Sequence, residues 1–345
     1  MTEKFIFSLK KEISQYALLY GGKKFNSVYF GGGTPSVLSH KDFNEIISFL
    51  RDSFDLSRDP EISMEANPED FRDKNFKDYK AAGINRISFG VQSFIDEELK
   101  FLTRQHSASE AEETIRKAAD IFANINIDII YSLPSQTKND IEISLNKTIS
   151  LGINHISAYT LTFEERTPLY KLYKSDRVRK NPESSEAEMY HFVSEKLLSN
   201  GYKHYEVSNF ARNGFECIHN LKYWEYNDYI GFGPSSHSMI DNVRWNNFRD
   251  LKRYGEMLSE GLLPVEEKLL LTEDQKKLEY IMLSLRSKGI DFRKYSGLFG
   301  KEFKDEFYAS MEELTNHGFA LSTGSKFSLT EKGYSIADEI IAKYF

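Results

Sequence analysis

The sequence predicts an α/β fold: a partial, TIM-like (β/α) parallel barrel that lacks its first strand, followed by a small C-terminal α+β module of winged-helix type. In the first two-thirds of the chain, short apolar runs alternate with helical patterns, as expected for repeated βα units around a parallel sheet. The chain opens on a helical pattern over residues 2–20 rather than on a strand. From about residue 264, closely spaced helical patterns precede a hairpin turn at residues 323–325.

Periodicity and turn residues place the elements in chain order. Gly83, Gly152 and Gly201 each follow a helical pattern and indicate where it ends. Ser107 and Thr137 each stand three residues before an acidic residue, the spacing of a capping box at a helix start. The predicted strands lie near 26–30, 61–66, 84–90, 125–131, 153–161 and 203–207. The predicted helices lie near 39–52, 69–82, 107–123, 137–151, 184–200, 272–287 and 300–317, with a final helix after the hairpin.

These elements suggest three parts: a partial barrel over 1–210, a connecting segment over 211–263 and the winged-helix-like module over 264–345. A helix in a βα series normally follows a strand, so we expect the strand before the first helix to be absent. The sheet should then have an unpaired edge at the strand 26–30.

Composition limits the classes of function. The 345 residues are 40% hydrophobic, with 26 Phe and 20 Tyr, enough for a large core. Forty-five basic and 52 acidic residues give a formal charge of −7, which argues against general nucleic-acid binding. The last part, 262–345, holds 12 basic and 14 acidic residues, so a DNA-binding regulator is a poor alternative. One cysteine and no long apolar stretch favour a cytoplasmic protein.

A ligand face is predicted at the carboxyl ends of the strands, where a parallel barrel binds its ligands. The loop Gly31-Gly32-Gly33-Thr34 directly follows a strand, and its glycines allow the backbone to approach a ligand closely. Polar residues stand at or just beyond the ends of the following strands, where an unpaired buried charge would be costly. These residues are Glu65, Gln92, Arg104 and Asp128.

A second concentration of reactive side chains is Cys217-Ile-His219-Asn220-Leu-Lys-Tyr223-Trp224. If the segment is extended, a cysteine and a histidine two residues apart can reach one metal or haem iron. Aromatic rings could stack on a flat macrocycle. Taken without context, such a pair more often serves packing than ligation, and both interpretations stay open at this point.

With these motifs in view, the chain resembles the radical S-adenosylmethionine proteins of the oxygen-independent coproporphyrinogen III oxidase group, and within it the HemW-type haem chaperones. The resemblance runs from about residue 2 to the end. Its most specific support is the motif His-Asn-Leu-Lys-Tyr-Trp at 219–224. The other matching motifs are Tyr-Phe-Gly-Gly-Gly-Thr-Pro-Ser at 29–36, Glu-Ala-Asn-Pro at 65–68, Gly-Val-Gln-Ser-Phe at 90–94, Asn-Ile-Asp-Ile-Ile-Tyr-Ser-Leu-Pro at 126–134, His-Ile-Ser-Ala-Tyr at 155–159 and Tyr-Glu-Val-Ser-Asn-Phe-Ala at 205–211.

The resemblance implies a barrel of the radical S-adenosylmethionine type with S-adenosylmethionine, a [4Fe–4S] cluster and haem as ligands. It assigns the methionine end of the nucleoside cofactor to Gly32, Gly33 and Thr34, and the ribose hydroxyls to Glu65. Three further residues, Gln92, Arg104 and Asp128, would complete that pocket, the last two as a charge pair. The haem-associated residues would be His219, Asn220, Tyr223, Trp224 and Cys217.

One departure decides what chemistry can be expected. The family's Cys-x3-Cys-x2-Cys loop follows a strand upstream of the helix that opens this chain, and the sequence has a single cysteine. We therefore expect these 345 residues to be unable to hold the cluster and not to be catalytic as given. The predicted function is haem binding and delivery to an acceptor protein, membrane-associated or not, with a homodimer as an open question. The alternative is oxidative decarboxylation of coproporphyrinogen III.

Overall fold

The computed structural model describes residues 2–345 and confirms the predicted α/β fold. Its largest sheet contains β1 (Lys24–Phe30), β2 (Asp55–Ala66), β3 (Arg86–Gln92), β4 (Asn124–Tyr131), β5 (His155–Thr160), β6 (Lys203–Glu206) and β7 (Asn209–Ala211). The strand order is β1-β2-β3-β4-β5-β7-β6. Each neighbouring pair from β1 to β5 is parallel. Within residues 2–345, β1 pairs with β2 alone and is a terminal strand, as predicted.

Helices connect these strands and cover one face of the sheet. They are α1 (Thr2–Tyr20), α2 (His40–Ser53), α3 (Phe76–Ala81), α4 (Asp96–Phe101), α5 (Ala108–Ala119), α6 (Lys138–Ser150), α7 (Pro168–Lys174) and α8 (Glu183–Ser199). Both predicted capping boxes are present, because Ser107 and Thr137 accept the backbone N–H of the acidic residue three positions later. The helix expected over 69–82 is shorter, since a 3₁₀ turn at Pro68–Phe71 precedes a new helix start capped by Asn75.

The strands have one apolar face and one polar face, because side chains alternate along a strand. The residues that pack against the helices form one hydrophobic core, with Ile62, Met64, Ile87, Phe89, Ile125, Ile127, Ile129 and Ile156 among them. The intervening positions point to the other face and are nearly all polar. They are Glu61, Ser63, Glu65, Arg86, Ser88, Asn126, Asp128, His155 and Ser157.

The last strand of the sheet departs from the parallel expectation. β6 and β7 form an antiparallel hairpin, and β7 inserts between β5 and β6. Only residues 207–208 separate the two strands, and so short a connection permits antiparallel pairing alone. The sixth predicted strand was therefore correctly located but wrongly assumed to continue the parallel order.

The connecting segment contains a small sheet that the sequence analysis missed. Its elements are α9 (Ile218–Trp224), β8 (His237–Ile240), β9 (Val243–Asn247), α10 (Leu251–Ser259) and β10 (Val265–Leu270), with strand order β10-β9-β8. This sheet shares a hydrophobic cluster with α1, in which Ile13 and Tyr16 meet Ile240 and Trp245. A buried carboxylate joins the same elements, since Glu12 accepts hydrogen bonds from β9, α10 and the loop before β8.

The C-terminal module has its own core around Phe303, Tyr295 and Phe327. The predicted hairpin is present between two strands at Ala320–Ser322 and Lys326–Leu329. The helix expected over 300–317 is divided at Phe307, and a helix at Phe292–Phe299 was not predicted. The elements are α11 (Glu273–Leu285), β11 (Ile290–Asp291), α12 (Phe292–Phe299), α13 (Phe303–Glu306), α14 (Tyr308–Asn316), β12 (Ala320–Ser322), β13 (Lys326–Leu329), α15 (Glu331–Tyr334) and α16 (Ala337–Tyr344). The division of the chain at residues 210 and 263 stays a prediction.

None of the helices within residues 2–345 has the length and apolar character that crossing a bilayer requires.

Candidate functional site

The glycine loop and Glu65 form one hydrogen-bonded unit at the end of β1. The Tyr29 hydroxyl donates to Glu65 Oε1 at 2.9 Å, and the Gly32 N–H donates to Oε2 at 3.1 Å. A Cβ on Gly31 would lie 3.0 Å from Glu65 Oε1 and 2.7 Å from the Tyr29 ring. Gly32 and Gly33 have φ of +76° and +64°, a backbone region that favours glycine. The sequence thus needs glycine here to bring the loop against the carboxylate.

Gln92 and Arg104 lie together at the end of β3. A Cβ on Gly90 would stand 3.1 Å from Arg104 Nη2 and 3.1 Å from Gln92 Nε2, so both side chains pack over this glycine. Gln92 itself has a φ of +73°, an uncommon conformation that is often found at functional sites. Arg104 Nη1 donates to Asn67 Oδ1 at 3.3 Å, rather than to the Asp128 carboxylate that the resemblance suggested as its partner.

Asp128 lies inside β4 (Asn124–Tyr131), and not at its end as predicted. Burial raises the pKa of its carboxyl to about 6, and the neighbouring Glu65 carboxylate acts in the same direction, while hydrogen bonds from Ser157 and Asn126 oppose it. Burial lowers the pKa of Arg104, and Asp128 is one of the carboxylates that counter this effect. Asp128 therefore interacts electrostatically with both Glu65 and Arg104. Thr34, the last of the predicted set, precedes the 3₁₀ turn Pro35–Val37.

The predicted haem-associated residues lie on α9, and the structure brings His219 beside the Glu65 unit. The His219 ring stacks on the Tyr29 ring, with centroids 4.8 Å apart and planes 18° apart. Its Nδ1 contacts Ser27 Oγ at 3.1 Å and its Nε2 contacts the Tyr223 hydroxyl at 3.2 Å. Burial lowers the pKa of His219 to about 4, and the positive charge of Arg86 adds to this effect. The imidazole is therefore neutral at physiological pH.

Other members of the predicted haem-associated set have different environments. Tyr223 is 37% exposed, whereas Asn220 and Trp224 are partly buried. Cys217 is fully buried, and its Sγ–H donates to Glu61 Oε1 at 3.5 Å. Burial raises the pKa of this thiol to about 11. The idea that Cys217 and His219 share one iron assumed an extended segment, and it is wrong for this structure because the chain turns into a helix at Ile218.

Sequence analysis did not single out the buried polar residues that surround the start of α9. Glu61, Arg86 and Tyr205 lie inside the sheet, and their side chains are close to Cys217. Arg86 is 2% exposed and its Nε has no hydrogen-bond partner within residues 2–345. The sequence did contain one signal for these residues. Each of them is two positions from another polar residue, and this spacing indicates one polar face of a strand. Nothing in the sequence alone shows which distant segment such residues contact.

A groove of about 690 Å³ runs along β1 and reaches from the glycine loop to His219. Its walls are mostly apolar and come from α1, β1, the strand after α2 and the loop before β8. The lining also contains polar residues, among them Glu65, His219, Tyr223, Ser236 and His237. Examples of the apolar lining are Leu9, Ile13, Leu38, Phe54 and Phe232. A concave apolar surface with a few grouped polar atoms is the usual form of a small-molecule site.

Comparison with known proteins first defines the class. Residues 2–147 match the model of the radical SAM superfamily. The fold is similar to that of the Escherichia coli coproporphyrinogen III oxidase HemN, described as a radical SAM enzyme, with a TM-score of 0.82 and 23% identity. That similarity covers 99% of this chain and 82% of the oxidase chain. At this level of identity the similarity establishes the fold only.

Sequence relatives then define the family. A Bacillus subtilis (strain 168) protein named heme chaperone HemW is 32% identical over 348 residues, covering 99% of this chain and 91% of its own. The Escherichia coli (strain K12) protein of the same name is 31% identical over 318 residues, covering 90% of this chain and 82% of its own. The Mycobacterium tuberculosis (strain H37Rv) protein of that name is 31% identical over 341 residues. The chain belongs to the HemW family of radical SAM proteins.

Proposed function

We propose that this chain is a haem chaperone, which binds haem in the groove beside His219 and delivers it to an acceptor protein. The observation that carries the proposal is the position of His219, which lines a large and mostly apolar groove. Relatives that align with nearly the whole chain are named heme chaperones. Haem has a large apolar macrocycle, so a groove with mostly apolar walls and a histidine among its few polar groups suits it.

The protonation state of His219 supports the same conclusion. An imidazole binds iron through a neutral ring nitrogen, and histidine is a common haem ligand. Because burial lowers its pKa to about 4, His219 is neutral at physiological pH without a proton having to leave. Its Nε2 faces the hydroxyl of the partly exposed Tyr223.

Haem titration of His219→Ala tests the proposal. We expect the variant to bind haem at least about tenfold more weakly, the order of effect of losing one specific interaction of about 1.4 kcal/mol. His317→Ala is the matched control, because His317 is an exposed histidine of the C-terminal module. Unchanged Soret titrations for His219→Ala, with a normal circular dichroism spectrum, would contradict the assignment.

We further propose S-adenosylmethionine as a ligand of the neighbouring unit at Glu65. The carboxylate of Glu65 suits ribose hydroxyls, because a carboxylate is a pure hydrogen-bond acceptor. The positive φ of Gly32 and Gly33 turns the loop so that the backbone comes close to a bound group. The proposed set is Gly32, Gly33, Thr34, Glu65, Gln92, Arg104 and Asp128.

The residues present do not fit an iron–sulfur cluster. Such a cluster is held by several cysteine thiolates, and these 345 residues contain one cysteine, which is buried against Glu61. Within residues 2–345 no three His, Cys, Asp or Glu side chains are grouped as metal ligands. We therefore derive no radical step, and coproporphyrinogen oxidation is the less favoured alternative. Formation of 5′-deoxyadenosine after anaerobic reconstitution with iron and sulfide would reverse that order.

Delivery requires an acceptor. We propose a haem-acceptor protein, which the sequence-based prediction leaves as membrane-associated or not, with the chaperone acting from the cytoplasm. Homodimer formation belongs to the same proposal. Co-purification of the haem-loaded chain with membrane fractions, together with its sedimentation velocity, tests both points.

A further inference from the structure

Helix α9, which carries His219, packs against β1 and α11 through side chains that are all at least partly exposed. Its N-cap residue, Cys217, makes no capping hydrogen bond with its side chain, although a capping side chain normally satisfies the free N–H groups at a helix start. The N–H groups at the start of α9 must therefore be satisfied by groups elsewhere in the chain.

Glu61 supplies the missing cap from the inside of the sheet. This residue lies in β2, is 6% exposed, and accepts hydrogen bonds from the first two N–H groups of the helix. Its Oε2 accepts the Ile218 N–H at 3.1 Å and its Oε1 accepts the His219 N–H at 3.0 Å. Charge-assisted hydrogen bonds of this kind are among the strong ones in proteins, and a negative charge is favoured at a helix N-terminus.

A second buried contact fixes the residue before the helix. The Tyr205 hydroxyl oxygen accepts the Cys217 N–H at 3.3 Å, and the same hydroxyl lies 2.6 Å from His155 Nε2. His155 Nδ1 lies 2.6 Å from Asn126 Oδ1. An amide oxygen only accepts, so His155 carries its proton on Nδ1 and its Nε2 accepts from Tyr205. In this series of hydrogen bonds, from Cys217 through Tyr205 and His155 to Asn126, each donor and each acceptor is therefore defined.

We propose that Glu61 is a positioning residue, which together with Tyr205 fixes the start of α9 and thereby holds the His219 ring against Tyr29. Glu61 acts through the helix, since its carboxylate contacts backbone N–H groups and not the imidazole ring. Its effect on haem rests on the proposed function, whereas its effect on the His219 ring does not.

The first arm of the test follows the His219 ring itself by NMR. In Glu61→Gln, one carboxylate oxygen becomes an NH₂ group that faces an N–H donor, so one of the two capping hydrogen bonds is lost. We expect the start of α9 to shift and the His219 ring to leave its stacked position on Tyr29. The ring-proton signals of His219 should then move, because the ring current of Tyr29 no longer acts on them. Glu12→Gln is the matched control, because Glu12 is also a buried carboxylate with hydrogen bonds from neutral donors. His219 ring signals that keep their wild-type chemical shifts in Glu61→Gln would overturn the proposal.

The second arm measures haem. We expect Glu61→Gln to bind haem about tenfold more weakly, which corresponds to about 1.4 kcal/mol, and Glu12→Gln to bind it normally. Combined with His219→Ala, the Glu61 change should have little additional effect, because residues that act through one group are not additive. Equal additional loss in the double variant would count against a route through His219.

Two further outcomes distinguish a failure of the role of Glu61 from a failure of the proposed haem binding. If Glu61→Gln does not fold, Tyr205→Phe is used instead. This variant removes the acceptor of the Cys217 N–H and also the hydroxyl that donates to His155 Nε2, and it should move the His219 ring signals in the same direction by a smaller amount. No shift in that variant would also count against the proposal. If the wild-type chain binds no haem, the proposed function fails, while the His219 ring signals of the haem-free chain still decide the role of Glu61.

Discussion

The buried carboxylate of Glu12 makes the stability of the fold depend on pH. Glu12 lies in α1, is fully buried and accepts hydrogen bonds from the Gly233 N–H (2.8 Å), Asn247 Nδ2 (2.5 Å) and the Tyr254 hydroxyl (2.7 Å). Burial raises the pKa of its carboxyl from 4.5 to about 7, and these three hydrogen bonds offset only part of the effect. The folded chain therefore binds this proton more tightly than the unfolded chain does.

The sign and size of the effect follow from linkage. A group whose pKa is raised in the folded state stabilises the fold at low pH, and this contribution is lost as the pH rises through the folded pKa. With each pKa unit equal to about 1.4 kcal/mol, a rise from 4.5 to about 7 corresponds to about 3 kcal/mol in total. Between pH 5 and pH 8, the loss from Glu12 alone should be about 2 to 3 kcal/mol.

Glu12→Gln removes this titration. The unfolding free energy of the variant minus that of the wild type should therefore rise by about 2 to 3 kcal/mol from pH 5 to pH 8. Glu206 and Asp128, whose pKa values burial raises to about 7 and about 6, act in both proteins and cancel in the difference. Trp245 stacks on Tyr16 in the same cluster, so its fluorescence reports urea unfolding in a Trp224→Phe background.

Glu45→Gln provides the control, because Glu45 is a half-exposed carboxylate on the adjacent α2. Its unfolding free energy is measured beside that of the wild type at the same pH values. A pH-independent difference for Glu12→Gln would refute the argument that burial dominates the three hydrogen bonds.

Two other substitutions test the ligand face and the C-terminal core. Gly90→Ala places a Cβ 3.1 Å from atoms of Arg104 and Gln92. Binding of S-adenosylmethionine, measured by calorimetry, should weaken, and the chain should lose about 1 to 3 kcal/mol of stability. Unchanged binding would contradict the proposed pocket. Phe303→Ala removes a fully buried ring and should destabilise the C-terminal module by about 3 to 5 kcal/mol. The unfolding transition reported by Trp245, which lies outside that module, should not move. An equal displacement of the Trp245 transition and the transition of the C-terminal module would contradict separate cores.

Most of the fold could be predicted because it depends on local patterns. The parallel strands appear as apolar runs, and Ser107 and Thr137 mark helix starts through contacts within one turn. The hairpin of β6 and β7 could not be predicted from local patterns, because β7 has only three residues and was not recognised as a strand. Without β7, nothing in the sequence indicated that the chain reverses after residue 206. The sheet of β8, β9 and β10 was missed because its strands are short and depend on α1 for burial.

The candidate site shows the same division. The glycine loop and Glu65 were predictable, because glycine and a carboxylate at strand ends indicate ligand chemistry in the sequence itself. The stacking of His219 on Tyr29 was not, since these residues are far apart in sequence and the contact depends on how α9 docks. For Cys217 the sequence analysis left packing and ligation open, and the distant Glu61, whose carboxylate contacts the thiol, could not be predicted as its partner.

The measurement that tests the central claim most directly is an NMR titration of the histidine-labelled chain with haem. The haem iron is paramagnetic and broadens the signals of nearby nuclei. We predict that the ring signals of His219 broaden at the lowest haem ratios and that those of His317, on the C-terminal module, persist to saturation. Broadening of His317 before His219, or equal broadening of both, would contradict haem binding in the groove beside α9.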